Sequence, residues 1–270
     1  MPALAGVRLL TFALNVPGPV AIARLAAHGA TAIKVEPPSG DPLKIYCRAW
    51  YDALHAGVPV VTLDLKSEAG RAESDRLLAH ADVLITSFRP SALARLGLGP
   101  ARLIERFPAL RAVGIVGDTA DPEHAGHDVT YQAEAGLVRD TLPVTLLADL
   151  VGAERVVASV LLALRSAPGA CLRVGLRDVV NGLRTPMTLG LTTASGRLGG
   201  GDPAYGVYRT RDGFVAIAAL EPHFRARLYD ALALPLDTPL AGTMASRSSA
   251  EWAAFSGAHG LPMQVVRPPD

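Results

Sequence analysis

Two hydrophobic rhythms alternate along the first two thirds of this chain. Short apolar runs are followed by longer stretches with apolar positions every three or four residues. Residues 7–12 are a short β-rich run, Asn15-Val16-Pro17-Gly18-Pro19 is a turn, and 20–28 has helical periodicity that stops at Gly29. Residues 32–36 then predict a second strand, ended by Pro37-Pro38. That is a βαβ unit and points to a parallel sheet. The pattern recurs with a strand at 60–65, a helix at 67–79, a strand at 83–85, short helices at 92–96 and 100–106, and a strand at 111–116. Asp149 opens an apolar helix to about 164, whose uniform apolarity predicts burial in a core or interface. Past Leu183 the texture changes. A Thr- and Gly-rich connector spans 185–203, a hairpin is expected from 205–210 and 214–219 around Asp212-Gly213, and helices follow at 224–232 and 249–259. The expected architecture is α/β, with a large parallel-sheet domain over 1–184 and a smaller α+β domain over 185–270.

Composition narrows the function. The 270 residues are half hydrophobic, and 26 Lys and Arg against 25 Asp and Glu leave a formal charge of +1. No polyanion-binding role follows, so nucleic acid is not an expected partner. Cys47 and Cys171 are too few and too far apart for a disulfide framework or a zinc site, and no metal is expected. The first residues lack a signal peptide's basic region and apolar run, and no stretch suits a bilayer. A cytoplasmic protein without membrane attachment is expected. Pro17-Gly18-Pro19 is not G-x-G-x-x-G, and the P-loop pattern is missing, so nicotinamide and nucleoside-triphosphate chemistry have no motif support.

Candidate chemistry centres on Gly126-His127-Asp128 and Ala148-Asp149. An imidazole and a carboxylate among apolar neighbours can have proton affinities tuned towards neutrality, as general acid–base work needs. The plainer alternatives are a hydrogen-bonded structural His and an Asp acting as helix N-cap.

The chain resembles the family III coenzyme A transferases of CaiB/BaiF type, a family that also contains the α-methylacyl-CoA racemases. The matching segments run in order: Leu4-Ala5-Gly6-Val7-Arg8, Gly18-Pro19, Ile33-Lys34-Val35-Glu36-Pro37-Pro38-Ser39-Gly40-Asp41, Thr62-Leu63-Asp64-Leu65-Lys66, Ala81-Asp82-Val83-Leu84-Ile85, Phe88-Arg89-Pro90, Arg95-Leu96-Gly97-Leu98, Gly126-His127-Asp128, Ala148-Asp149 and 208–224. The resemblance implies a Rossmann-like large domain, an interlocked homodimer and a CoA thioester as substrate, with no cofactor beyond that coenzyme A. It also implies that Arg89 and Arg95 meet the CoA phosphates, a task suited to the planar guanidinium, and that Val16 lines the CoA site. On composition alone the two arginines read as solvated surface and Val16 as an ordinary turn residue.

Racemase and transferase divide at His127. In the transferases, the resemblance implies, the Asp matching Asp149 attacks the thioester to form a mixed anhydride. In the racemases it shares proton transfer with a His in Gly-His-Asp, and a carboxylate matching Glu221 supports that His. Since this chain reads Gly126-His127-Asp128, a 2-methylacyl-CoA racemase working through an enolate is the leading expectation. Amides at the start of the helix opened by Asp149 would stabilise the enolate oxygen, with Asp128 supporting the loop. A CoA-transferase is the first alternative and a non-catalytic CoA-binding or partner subunit the second. Three departures from the family pattern bear on this. His55-Ala56-Gly57-Val58-Pro59 lacks the usual basic residues, for which Lys44 or Arg48 are candidate replacements. The loop from His127 to Asp149 is short, and the sequence ends soon after Gly260-Leu261-Pro262-Met263, which leaves a shorter dimer threading, or none, as an alternative to the interlocked form.

Overall fold

The structure, a computed structural model, describes residues 1–267 and divides into two compact units, Met1–Leu183 and Arg184–Asp270. The first unit runs β1 (Arg8–Thr11), α1 (Pro17–Ala27), β2 (Thr31–Glu36), α2 (Leu43–Tyr46), α3 (Arg48–Leu54), β3 (Val60–Thr62), α4 (Glu68–His80), β4 (Val83–Thr86), α5 (Pro90–Arg95), α6 (Pro100–Arg106), β5 (Arg111–Val116), α7 (Asp128–Glu134), α8 (Leu147–Arg165), β6 (Cys171–Gly175) and α9 (Leu176–Leu183). Its six strands pair in parallel in the order β3-β2-β1-β4-β5-β6. This is the α/β architecture the alternating rhythm predicts.

Strand alternation builds two cores. Leu9, Val83 and Ile85 face α1 and α8, where Ile22, Leu25, Val156 and Val160 are buried. Leu10 and Leu84, one residue out of phase, face α4 and α6 with Leu77, Leu78 and Leu103. The strand order reverses between β1 and β4, so the loops leaving these two strands diverge and open a crevice at their carboxyl ends.

Several boundaries differ from the expected ones: β3 ends at Thr62 rather than at 65, and two other differences bear on the crevice. The Pro17-Gly18-Pro19 segment is the first turn of α1 rather than a turn ahead of it. Proline's fixed φ suits that turn, and its missing N–H costs nothing where amides have no intrahelical acceptor. Helix α8 begins at Leu147, so Asp149 lies within its first turn and does not cap it. The expected burial of α8 holds for one face only. Ala148, Gly152, Ala153, Val156, Ser159, Val160 and Ala163 are buried, while Leu161 and Leu162 are exposed. Gly152 permits close packing, since a Cβ there would stand 2.4 Å from Leu176 Cδ2.

The second unit runs α10 (Thr185–Thr188), β7 (Tyr205–Arg209), β8 (Phe214–Ala218), α11 (Pro222–Leu232), α12 (Ala241–Ala245), α13 (Ser249–His259) and β9 (Met263–Val265). Its strands form an antiparallel sheet in the order β7-β8-β9, and the expected hairpin pairs Arg209 with Phe214. Trp252, Tyr229, Leu228 and Met244 fill its core, and Trp252 Nε1 donates to Met244 O at 2.8 Å. Helix α13 starts with reciprocal Ser248 and Glu251 bonds. Among the described residues, no helix is long and apolar enough to cross a membrane.

Candidate active site

A cavity of about 190 Å³ lies at the carboxyl ends of β1, β4 and β5, where the strand order reverses. Leu14, Asn15 and Pro17 line it from the β1 loop, Ser87 and Arg89 from the β4 loop, and Ile115, Val116 and Gly117 from β5 and beyond. His124, Gly126, His127 and Tyr131 enter from the following loop and α7, and Asp149 from α8. Alternation persists past the strand ends. Ser87 and Arg89 face this cavity, whereas Thr86, Phe88 and Pro90 face a separate 400 Å³ cavity.

His127 precedes the first residue of α7. Its backbone is pinned there, with His127 N donating to Thr130 Oγ1 at 2.9 Å and the Thr130 hydroxyl donating to His127 O at 2.8 Å. The imidazole is exposed at the cavity wall. Asp128 is buried and ties α7 to α8. Its Oδ1 accepts from Asp149 N at 3.1 Å and its Oδ2 from Gln132 Nε2 at 2.5 Å. The Asp149 carboxyl is pushed up to about 7, chiefly by burial and then by the nearby Asp128 carboxylate. An acid poised there exchanges protons readily near neutral pH.

The structure therefore brings His127, Asp149 and Arg89 to one cavity. Arg95 stands at the end of α5, exposed and outside the lining. Both arginines act on Glu123. Its carboxylate accepts from Ser91 N at 2.7 Å and Ser91 Oγ at 3.0 Å, and is held below the usual range chiefly by that amide bond, with the Arg89 and Arg95 charges adding to it. Glu221 lies in the second unit, exposed, just before α11, where its side chain caps nothing.

Three expectations need correction. The Val16 side chain is 6 % exposed and packs into the core, because the chain turns into α1 at this point; the turn meets the cavity through Leu14, Asn15 and Pro17 instead. The Asp149 amide is committed to Asp128, so it is not a free donor for an enolate oxygen. Arg48, a candidate replacement for the missing basic residues, is paired with Asp52 at 2.8 Å. Among the described residues, no group of three or more His, Cys, Asp or Glu side chains could hold a metal ion.

Sequence reasoning missed Asn15 and Tyr131. Tyr131 is buried against two glycines. A Cβ on Gly126 would lie 2.5 Å from Tyr131 Cε1, and one on Gly117 would lie 2.7 Å from its hydroxyl. Burial raises the Tyr131 pKa, and the Asp149 charge adds to that. Those glycines, either side of the His124 loop, are the available signal for a ring packed between them.

Comparisons with known proteins identify the family. The profile of CoA-transferase family III matches residues 4–270. The chain is 28% identical to a probable fatty acyl-CoA transferase of Mycobacterium tuberculosis over 96% of its own length and 81% of that protein's. The crystal structure of that mycobacterial protein superposes with a TM-score of 0.84 at 26% identity, covering 99% of this chain and 83% of the other. Human α-methylacyl-CoA racemase is 31% identical over 87% of this chain and 66% of its own length. A succinate–glutarate CoA-transferase of Agrobacterium fabrum is 28% identical over 80% of this chain and 63% of its own. This chain thus spans about two thirds of the racemase and slightly less of that transferase, and resembles both activities at similar identity.

Proposed function

The chain belongs to CoA-transferase family III, and from that membership we propose that it acts on acyl-CoA thioesters as a 2-methylacyl-CoA racemase. The observation that carries the reading is a single cavity lined by an imidazole, a carboxyl poised near neutrality and a guanidinium. With the α-carbon between them, neutral His127 removes the α-proton and the electron pair moves onto the thioester oxygen as an enolate. Protonated Asp149 then delivers its proton to the opposite face. The product leaves imidazolium and carboxylate, the state that runs the reverse conversion. Arg89 supplies the fixed charge for a CoA phosphate, with Arg95 nearby on α5. A further cavity of about 120 Å³, lined by Val35, Pro37, Leu63, Asp64, Lys66 and Phe88, offers apolar walls with one cation and one carboxylate for the nucleotide end.

The test is α-deuteration of a 2-methylacyl-CoA in deuterated water without acceptor acid. Exchange should fall by at least about 10²-fold in His127→Ala and in Asp149→Ala. Exchange retained in both variants excludes the reading. CoA transfer that depends on an acceptor, with a hydroxylamine-sensitive acyl adduct on Asp149, would instead establish the transferase alternative, which the Agrobacterium fabrum relative keeps open.

A further inference from the structure

Five polar side chains behind the first loop take no part in the proposed chemistry, yet all are buried: Lys34 at 0 % exposure, Asp41 at 1 %, Glu36 at 3 %, Tyr51 at 5 % and His55 at 8 %. The Lys34 ammonium has three protons and three acceptors around it. These are Asp41 Oδ2, Glu36 Oε1 at 3.2 Å and His55 Nε2 at 2.9 Å. His55 Nδ1 lies 2.6 Å from Tyr51 O, so that nitrogen carries the ring proton and Nε2 accepts from the ammonium. The imidazole is therefore neutral, which its burial also favours. The Tyr51 hydroxyl donates to Glu36 Oε1 at 2.8 Å. A buried ionic cluster is a costly way to hold a fold, and apolar side chains of similar volume would serve stability as well or better.

What the cluster provides is a rigid acceptor aimed out of it. The second oxygen of Asp41, Oδ1, accepts from Asn15 N and from Leu43 N, both at 2.9 Å. Asn15 has a φ of 65°, a left-handed conformation that a residue with a Cβ adopts only at a cost. It also lines the cavity shared by His127 and Asp149. We propose that Asp41, anchored by Lys34, is a positioning residue that clamps the Asn15 backbone in its left-handed conformation and so fixes the wall against which the CoA thioester binds. The Lys34 to Asp41 segment and His55, one conspicuous as a motif and the other as a departure, then belong to one device. The cation-poor loop at 55–59 contributes its histidine inward, to Lys34.

This inference rests on the acyl-CoA reading, and its test separates the two. Asp41→Ala leaves one ammonium facing one carboxylate, Lys34 and Glu36, so charge stays balanced and the variant should fold, as circular dichroism would confirm. Titration calorimetry with acetyl-CoA should show binding weakened about tenfold in Asp41→Ala, the size of a left-handed penalty, and by less in Asn15→Ala, which loses only the easier entry of asparagine into that region. Asn15→Gly should bind more tightly than Asn15→Ala, because glycine enters that region freely. Introducing Asn15→Gly into Asp41→Ala should recover part of the loss. Unchanged affinity in a folded Asp41→Ala, or equal weakening by Gly and Ala at position 15, overturns the proposal. Should the unmodified protein bind no acyl-CoA, the functional reading fails. The clamp is then judged by a crystal structure of Asp41→Ala, where a φ at Asn15 that is still positive would refute it.

Discussion

Asp149 shows two opposed effects meeting on one side chain. Near the start of α8 the helix macrodipole favours its ionised form, typically by about 0.3–1 kcal/mol. Burial and the Asp128 carboxylate push the other way, from the ordinary 3.8 to about 7. At about 1.4 kcal/mol per unit, that is the larger effect. Because the folded value lies above the unfolded one, the protonated form carries the stability. That contribution is complete below about pH 4 and lost as pH rises through about 7. Asp149→Asn should therefore match the unmodified protein in thermal stability at pH 4 and exceed it at pH 8, by about 2 kcal/mol after allowance for partial exposure. Melting curves at the two pH values check this. An equal difference at both would show that the carboxyl is not held in its protonated form.

At the scale of elements, the loop ahead of α7 is shaped by what cannot fit. A methyl group on Gly126 would collide with the Tyr131 ring, and one on Gly117 with His124 O at 2.5 Å as well as the Tyr131 hydroxyl. Gly126→Ala should destabilise the protein by about 1–3 kcal/mol in urea denaturation, as overpacking does, and move His127. A variant as stable as the parent would mean the loop has room to give. The same elements show where sequence reasoning reaches and where it stops. Strands β1 to β5 and helices α4, α6, α8 and α13 were legible because apolar positions recur at their own periods. Helix α7 was not, since its buried residues are Asp128, Tyr131 and Gln132, two of them polar. Strand β6 buries only Val174 and Gly175 and runs straight into α9 without a turn residue between them. Helices α2 and α3 bury only Leu43 and Tyr51, too few positions to show a period. In the site, His127, Asp149 and Arg89 could be picked out through the family resemblance. Asn15 could not, because its place depends on a carboxylate 26 residues away.

At the scale of the whole molecule, the homodimer is a proposal that solution measurement can decide. Leu162 on α8 is 62% exposed beside Leu161 at 43%, an apolar edge on a helix whose other face is core. Sedimentation velocity should give twice the 28.2 kDa chain mass. Leu162→Glu should shift the species towards one chain, and a single-chain mass for the parent at micromolar concentration would dismiss the dimer. A wider consequence follows from where the cavity is built. Its lining comes mostly from segments at one edge of the sheet, while strand pairing is fixed by side chains sandwiched between the helical layers. Exposed loop residues at that edge, such as His127, can thus be exchanged without renegotiating the scaffold, whereas Gly117 and Gly126 cannot. One frame can then carry isomerases and group-transfer catalysts that differ at its rim, and this chain is similarly identical to relatives of both kinds.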